Sequence, residues 1–149
     1  MMEMQSYAQS DAGMKQAENY LSRNAAIENR LMLSHARMDR LRMMRSYLEK
    51  EGADGREKEH LLQEMQRREK EILADLQLLL RTEKEIENTV RSIGDDDLRT
   101  VLEMRYLHHM HYWAIAEKMH LDERHIYRLR KKALQRAALV LLAQGKITA

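Results

Sequence analysis

The sequence predicts an all-α protein: an N-terminal antiparallel coiled-coil helical hairpin followed by a C-terminal helix-turn-helix domain. Three observations predict it. The 149 residues include no proline, no phenylalanine and only five glycines, with 34% charged residues. That composition suits long helices and gives strands little to build on. Two long stretches carry apolar residues at alternating steps of four and three, the mark of a seam that packs on another helix. Finally, Tyr112 to Lys132 reads as two short helices joined by a tight turn, the second crowded with arginine and lysine.

Taken in order, residues 1–16 are polar, carry a glycine, and are expected to form a flexible tail. Residues 17–50 read as one helix, with Ile27, Leu31, Met38, Leu41 and Leu48 on a heptad seam that Ser34 and Arg45 weaken. Glu51 to Gly55 offers the turn. Residues 56–93 read as a longer helix, about 55 Å at ~1.5 Å per residue. Its seam is Leu62, Met65, Ile72, Leu76, Leu79, Ile86, Val90 and Ile93, interrupted by Glu69 and Glu83. Residues 17–94 are therefore expected to make a hairpin that pairs with another chain, as a homo-oligomer through the heptad seams, or packs on the C-terminal domain.

Ile93 and Gly94 are expected to end this helix with glycine in the C′ position. Asp95, Asp96 and Asp97 then supply an N-cap and an acidic first turn for a helix from about Leu98 to Leu107. His108 to His111 is a polar connector suited to DNA phosphates. The opening stretch follows, its second helix continuing through Leu142, so that 95–149 forms the helix-turn-helix domain.

Numbered from Tyr112 as position 1 of a helix-turn-helix, Ile115 and Ala116 fall at 4 and 5, Met119 at 8, Leu121 at 10, Ile126 at 15 and Leu129 at 18. Those are the buried positions of that motif. Position 9, where the backbone takes positive φ, is His120, a residue that tolerates this region better than most. Asp122 is placed to cap the second helix. Glu123, Arg124, Tyr127, Arg128 and Lys131 are left on its outward face, the side-chain types that read base edges in the major groove. Tyr112, Lys118, His125, Arg130, Lys132 and Arg136 lie around them and are expected to contact phosphates, which position the helix without reading sequence. The competing reading is an ordinary helical pair with a solvated basic face. Trp113 is expected to be a partly buried anchor, and Ala137 to Ala143 a helix end in the core or a dimer contact.

The charge distribution agrees with a DNA partner. Net charge is only +2, but from Leu121 onward seven basic residues stand against two acidic ones. Other functions find less support. With no cysteine there is no disulfide framework or thiolate site. His108, His109 and His111 do not have a zinc-motif spacing, so no metal and no cofactor is expected. No phosphate loop, nucleophile elbow or carboxylate pair appears, so an enzyme is not expected. The N-terminus has no apolar core of a signal peptide, and the longest apolar run, Ala137 to Ala143, is far short of the ~20 residues that span a bilayer. A cytoplasmic protein is expected.

Leu102 to Leu107, Tyr112 to Met119 and Asp122 to Leu134 resemble region 4 of bacterial sigma factors. They are more similar still to the region-4-like phage and prophage regulators of the ArpU/RinA type, with their L-x-x-R-Y, W-x-x-I-A-x-x-M and R-x-x-Y-R-L-x-x-x-A-L helices. Ala114 stands where an acidic residue is common in that family, and Asp122 where serine is common. The resemblance implies a transcriptional regulator of phage or prophage late genes that binds promoter DNA in a bacterial host, with RNA polymerase as a further partner. No sigma region 2 is visible. The alternatives are a small-terminase-like DNA-packaging protein, which also joins a helix-turn-helix to a coiled coil, and a helical adaptor of RNA polymerase that does not touch DNA.

Overall fold

A computed structural model describes residues 2–51 and 55–149. Every regular element among them is helical: α1 Met2–Gln9, α2 Asp11–Glu51, α3 Gly55–Arg91, α4 Asp96–Leu102, a π-helical segment Glu103–Leu107, α5 Tyr112–Met119 and α6 Glu123–Ala143. No helix among the described residues is long and apolar enough to cross a membrane. The expected turn at Glu51 to Gly55 falls mostly on residues 52–54, outside the described residues.

The chain divides into two compact units, which differ from the expected domains. One comprises Met1–Ala26 with Glu83–Ala149, and the other Ile27–Thr82. The division at residue 94 is corrected by burial. Leu21 near the start of α2 and Ile86 and Val90 near the end of α3 are fully buried with the C-terminal helices in one unit. The stretches 17–26 and 83–93 therefore belong to a different core from the seams between them.

In the Ile27–Thr82 unit the two seams pack on each other within one chain. Met38, Leu41, Met65 and Ile72 form its core, flanked by Leu48 and Leu76. The helices run in opposite directions there: Ser34 and Arg30 reach Asp75, while Arg45, further along α2, reaches Glu69, earlier on α3. The polar interruptions are thus not simply weak points. Arg45 Nη2 and Glu69 Oε2 meet at 3.0 Å, both largely shielded from solvent.

In the other unit, the expected flexible tail is corrected: residues 2–9 are helical, α1 packs on α6, and Ala8 and Ala17 are buried. The turn from α1 into α2 explains the glycine. Ser10 N donates to Tyr7 O (3.0 Å) and Gly13 N donates to Ser10 Oγ (3.1 Å). A Cβ on Gly13 would stand 2.1 Å from Tyr7 O. Gly94 behaves differently from expectation. Helix α3 ends at Arg91, and the sharp change of direction is held by Arg99, whose Nη1 donates to Ile93 O at 2.9 Å; among the described glycines only Gly145 has positive φ.

Candidate nucleic-acid interface

Asp95 starts α4 as expected, its side chain accepting from Leu98 N at 3.0 Å. The helix then widens. His108 N donates to Glu103 O and Met110 N to Met104 O, both at 3.0 Å, the five- and six-residue steps of a π-type ending. This is a departure from the continuous α-helix expected to Leu107. It leaves the Tyr106 carbonyl to another partner, and buried Asn24 supplies it, donating from Nδ2 at 3.0 Å. The connector after it turns at His109, with φ 56°.

The pair α5 and α6 is built as the spacing predicts. Ile115, Ala116 and Ile126 are buried with Val101 in one cluster, and Met119, Leu121 and Leu129 pack against it. His120 takes φ 58°, ψ 40°, the left-handed conformation expected at that position. Leu121 N donates to Ala116 O at 2.9 Å, closing the end of α5. Asp122 caps α6 by accepting from His125 N at 2.8 Å. Beyond the first turns, Ala133, Leu134, Ala137, Ala138 and Leu141 bury the inner face of α6, so the apolar run at its end belongs to the core.

The outward face matches the expected set. Glu123, Arg124, Tyr127, Arg128 and Lys131 are all exposed. Arg124, Arg128 and Lys131 follow at i, i+4 and i+7, one stripe of a helix. Among the described residues, none of the three has an acidic partner. Lys118, His125, Lys132 and Arg136 are also exposed. Lys132 and Arg136 border a groove of about 530 Å³ that Asp95 and Asp97 also line, so acidic groups stand near these two cations.

Two expected phosphate contacts are corrected. Arg130 is turned inward: its Nε donates to Tyr112 Oη at 2.8 Å and its Nη2 pairs with Glu18 of α2. Tyr112 is half-buried, holding Arg130 by its hydroxyl and lying under the Arg105 guanidinium, 4.6 Å from the ring centroid. Partial burial works against the charge on Arg130, but Tyr112 and Glu18 outweigh it and hold its pKa above the usual value. Burial, with the neighbouring Tyr112 hydroxyl, pushes the Tyr106 phenol far above its ordinary range. Tyr106, Tyr112, Arg130 and Glu18 thus form one polar chain that ties α6 to the first part of α2. Residue type alone did not reveal this, because Glu18 lies 112 residues from Arg130.

Trp113 is also corrected. It is 58% exposed, its ring stacked on His111 with centroids 6.4 Å apart and 11° between planes. The position sits at the second residue of α5, where the motif core is filled instead by Ile115 and Ala116. Tyr127 is likewise exposed and lies 5.2 Å from Tyr112, ring to ring. Tyr127 therefore adds an exposed aromatic ring to the basic face of α6.

Neither a curated protein nor a solved structure matches the chain. A family profile described as "Protein of unknown function (DUF1492)" matches residues 41–138, which is more than half of the chain, and the protein belongs to that family.

Proposed function

We propose that the protein is a sequence-specific DNA-binding regulator that sets the first half of α6 in the major groove of duplex DNA. The observation that carries this reading is the exposed stripe of Arg124, Arg128 and Lys131, unpaired among the described residues, on a helix whose start is fixed by left-handed His120 and capped by Asp122. A helix of this diameter fits the groove, and arginine can bind guanine O6 and N7 bidentately. Glu123 and Tyr127 complete the base-facing set. Lys118, His125, Lys132 and Arg136 are the phosphate contacts in this reading, with Arg130 and Tyr112 removed to a structural role. The resemblance to region-4-like regulators supports phage or prophage genes as the targets and RNA polymerase as a further partner.

The test is binding of labelled duplexes, first of random sequence and then of fragments selected from genomic DNA, over a salt series. The expected result is a selected site bound at least ~1,000-fold tighter than random duplex. Affinity should fall with salt at a slope of about −0.9 per neutralised phosphate. No binding to any duplex at low salt would remove the proposal.

A further inference from the structure

Nine of the twelve large hydrophobic residues that are exposed among the described residues lie in Ile27–Thr82. The seams do not account for them, because the seam residues are already buried against each other within the chain. Their placement is ordered. Leu33, Arg40 and Tyr47 follow one another at seven-residue steps on α2, as do Arg37 and Met44 between them. These five make a second stripe beside the seam. On α3, Leu61, Arg68 and Asp75 follow at sevens, and so do Glu64, Glu71 and Leu78.

The two stripes border one side of the helix pair. Met43, Met44 and Tyr47 with Leu61 and Met65 line an apolar groove of about 330 Å³. Arg37, Arg40 and Met44 with Arg68 line the adjoining one. The intrachain contacts of Ser34 with Asp75 and of Arg45 with Glu69 set the levels. Within about one turn, Leu33 stands level with Leu78, Arg37 and Arg40 with Glu71, and Tyr47 with Leu61.

We infer that this face binds the same face of a second copy of the chain, with the two-fold axis running along the helices, so that the α2 stripe of each copy lies on the α3 stripe of the other. Charge and apolarity both select this arrangement. The α2 stripe is apolar at its ends and basic in the middle, where Arg37 and Arg40 have no acidic partner among the described residues. The α3 stripe is apolar at its ends and mostly acidic in the middle, through Glu64, Glu71 and Asp75. Those carboxylates already meet Arg67, Arg68 and Arg30, but in exposed pairs that hold them weakly. Setting α2 on α2 instead would oppose Arg37 and Arg40 to their own copies, which costs free energy. Four helices are also what a unit of two needs, since a pair alone buries too little apolar surface to hold its conformation. The inference does not rest on DNA binding.

The absence of cysteine makes the test clean, because an introduced cysteine is the only thiol in its chain. Light scattering of the full chain at about 100 µM should give twice the 17.7 kDa mass. A mixture of Leu33→Cys and Leu78→Cys chains should form a disulfide-linked pair on mild oxidation, while neither variant alone does. The double variant Met44→Lys, Tyr47→Lys should raise the dimer Kd at least ~100-fold with helicity unchanged. A monomer at that concentration overturns the inference. So does Leu33→Cys linking to itself, which would place α2 on α2, or a dimer that survives the double lysine variant. Should the lysine variant unfold, the cysteine pairing still decides. All these readouts are made without DNA, so they fail or succeed separately from the DNA-binding reading.

Discussion

Arg130 Nε donates a hydrogen bond to Tyr112 Oη at 2.8 Å, joining the middle of α6 to the first residue of α5. The same guanidinium pairs with Glu18, so one arginine fixes the two helices of the basic face to α2. Arg130 sits among cations that face outward, yet its work is internal. Arg130→Ala should therefore lower stability by about 1–2 kcal/mol, the cost of leaving Tyr112 and Glu18 without their partner. Thermal unfolding checks this, and Arg124→Ala, on the exposed stripe, should leave Tm unchanged.

His120 carries a side chain in a left-handed conformation, φ 58°, at the turn between α5 and α6. That conformation costs an ordinary residue about 1–2 kcal/mol, and glycine adopts it freely. The glycine variant also loses more chain entropy on folding, so His120→Gly should raise stability by about 1 kcal/mol, or about 2–4 °C in Tm for a chain of this size. The neighbouring Asp122→Ala should do the opposite by about 1 kcal/mol, because His125 N loses its acceptor. Opposite shifts in the two variants, measured by calorimetry, check the turn geometry.

Arg45 and Glu69 meet across α2 and α3 at heptad positions flanked by apolar ones. Removing one partner strands the other in a shielded site, so Arg45→Leu alone should be destabilising by about 2 kcal/mol or more. Replacing both by leucine should restore or exceed the original stability, since an apolar seam needs no ion pair. A double-mutant cycle by chemical denaturation measures the coupling; additive effects would contradict the pairing.

Tyr106 links pH to stability. Its phenol is raised in the folded state by burial, whereas an unfolded tyrosine ionises near pH 10. Below pH 10 both states keep the proton and the contribution is complete. As pH rises above that value the unfolded chain loses the proton and the folded chain does not, so stability falls by up to about 1.4 kcal/mol per pH unit. Tyr106→Phe should cost about 1 kcal/mol at pH 7 through the lost hydrogen bond to Tyr112. That gap should shrink or reverse between pH 10 and 11, as followed by denaturant titrations.

Much of this was legible in residue order, and the exceptions share a cause. Ile115, Ala116 and Ile126 are buried because their spacing is helical and local, and His120 and Asp122 are read from turn and cap chemistry, which is local too. The heptads of Met38, Leu41, Met65 and Ile72 announce their packing by the same logic. What periodicity cannot say is which core a seam serves. Ala17 and Ile86 continue the seams yet are buried in the unit that holds the C-terminal helices. Glu18, Asn24 and Gly13 act on residues distant in sequence or on a helix break, and carry no local signal beyond polarity or the lack of a side chain. Trp113 misleads for a different reason: size suggested burial, while its place on the outer side of α5 leaves it exposed.

The exposed stripe of α6 is proposed to read DNA. The most direct measurement is the affinity of the wild-type chain, Arg124→Ala and Arg128→Ala for a site selected from genomic DNA and for random duplex at one salt concentration. Each substitution should weaken the selected site by about 1–3 kcal/mol, change random-duplex binding far less, and leave helicity and Tm intact. Unchanged affinity of both variants for the selected site would contradict this reading.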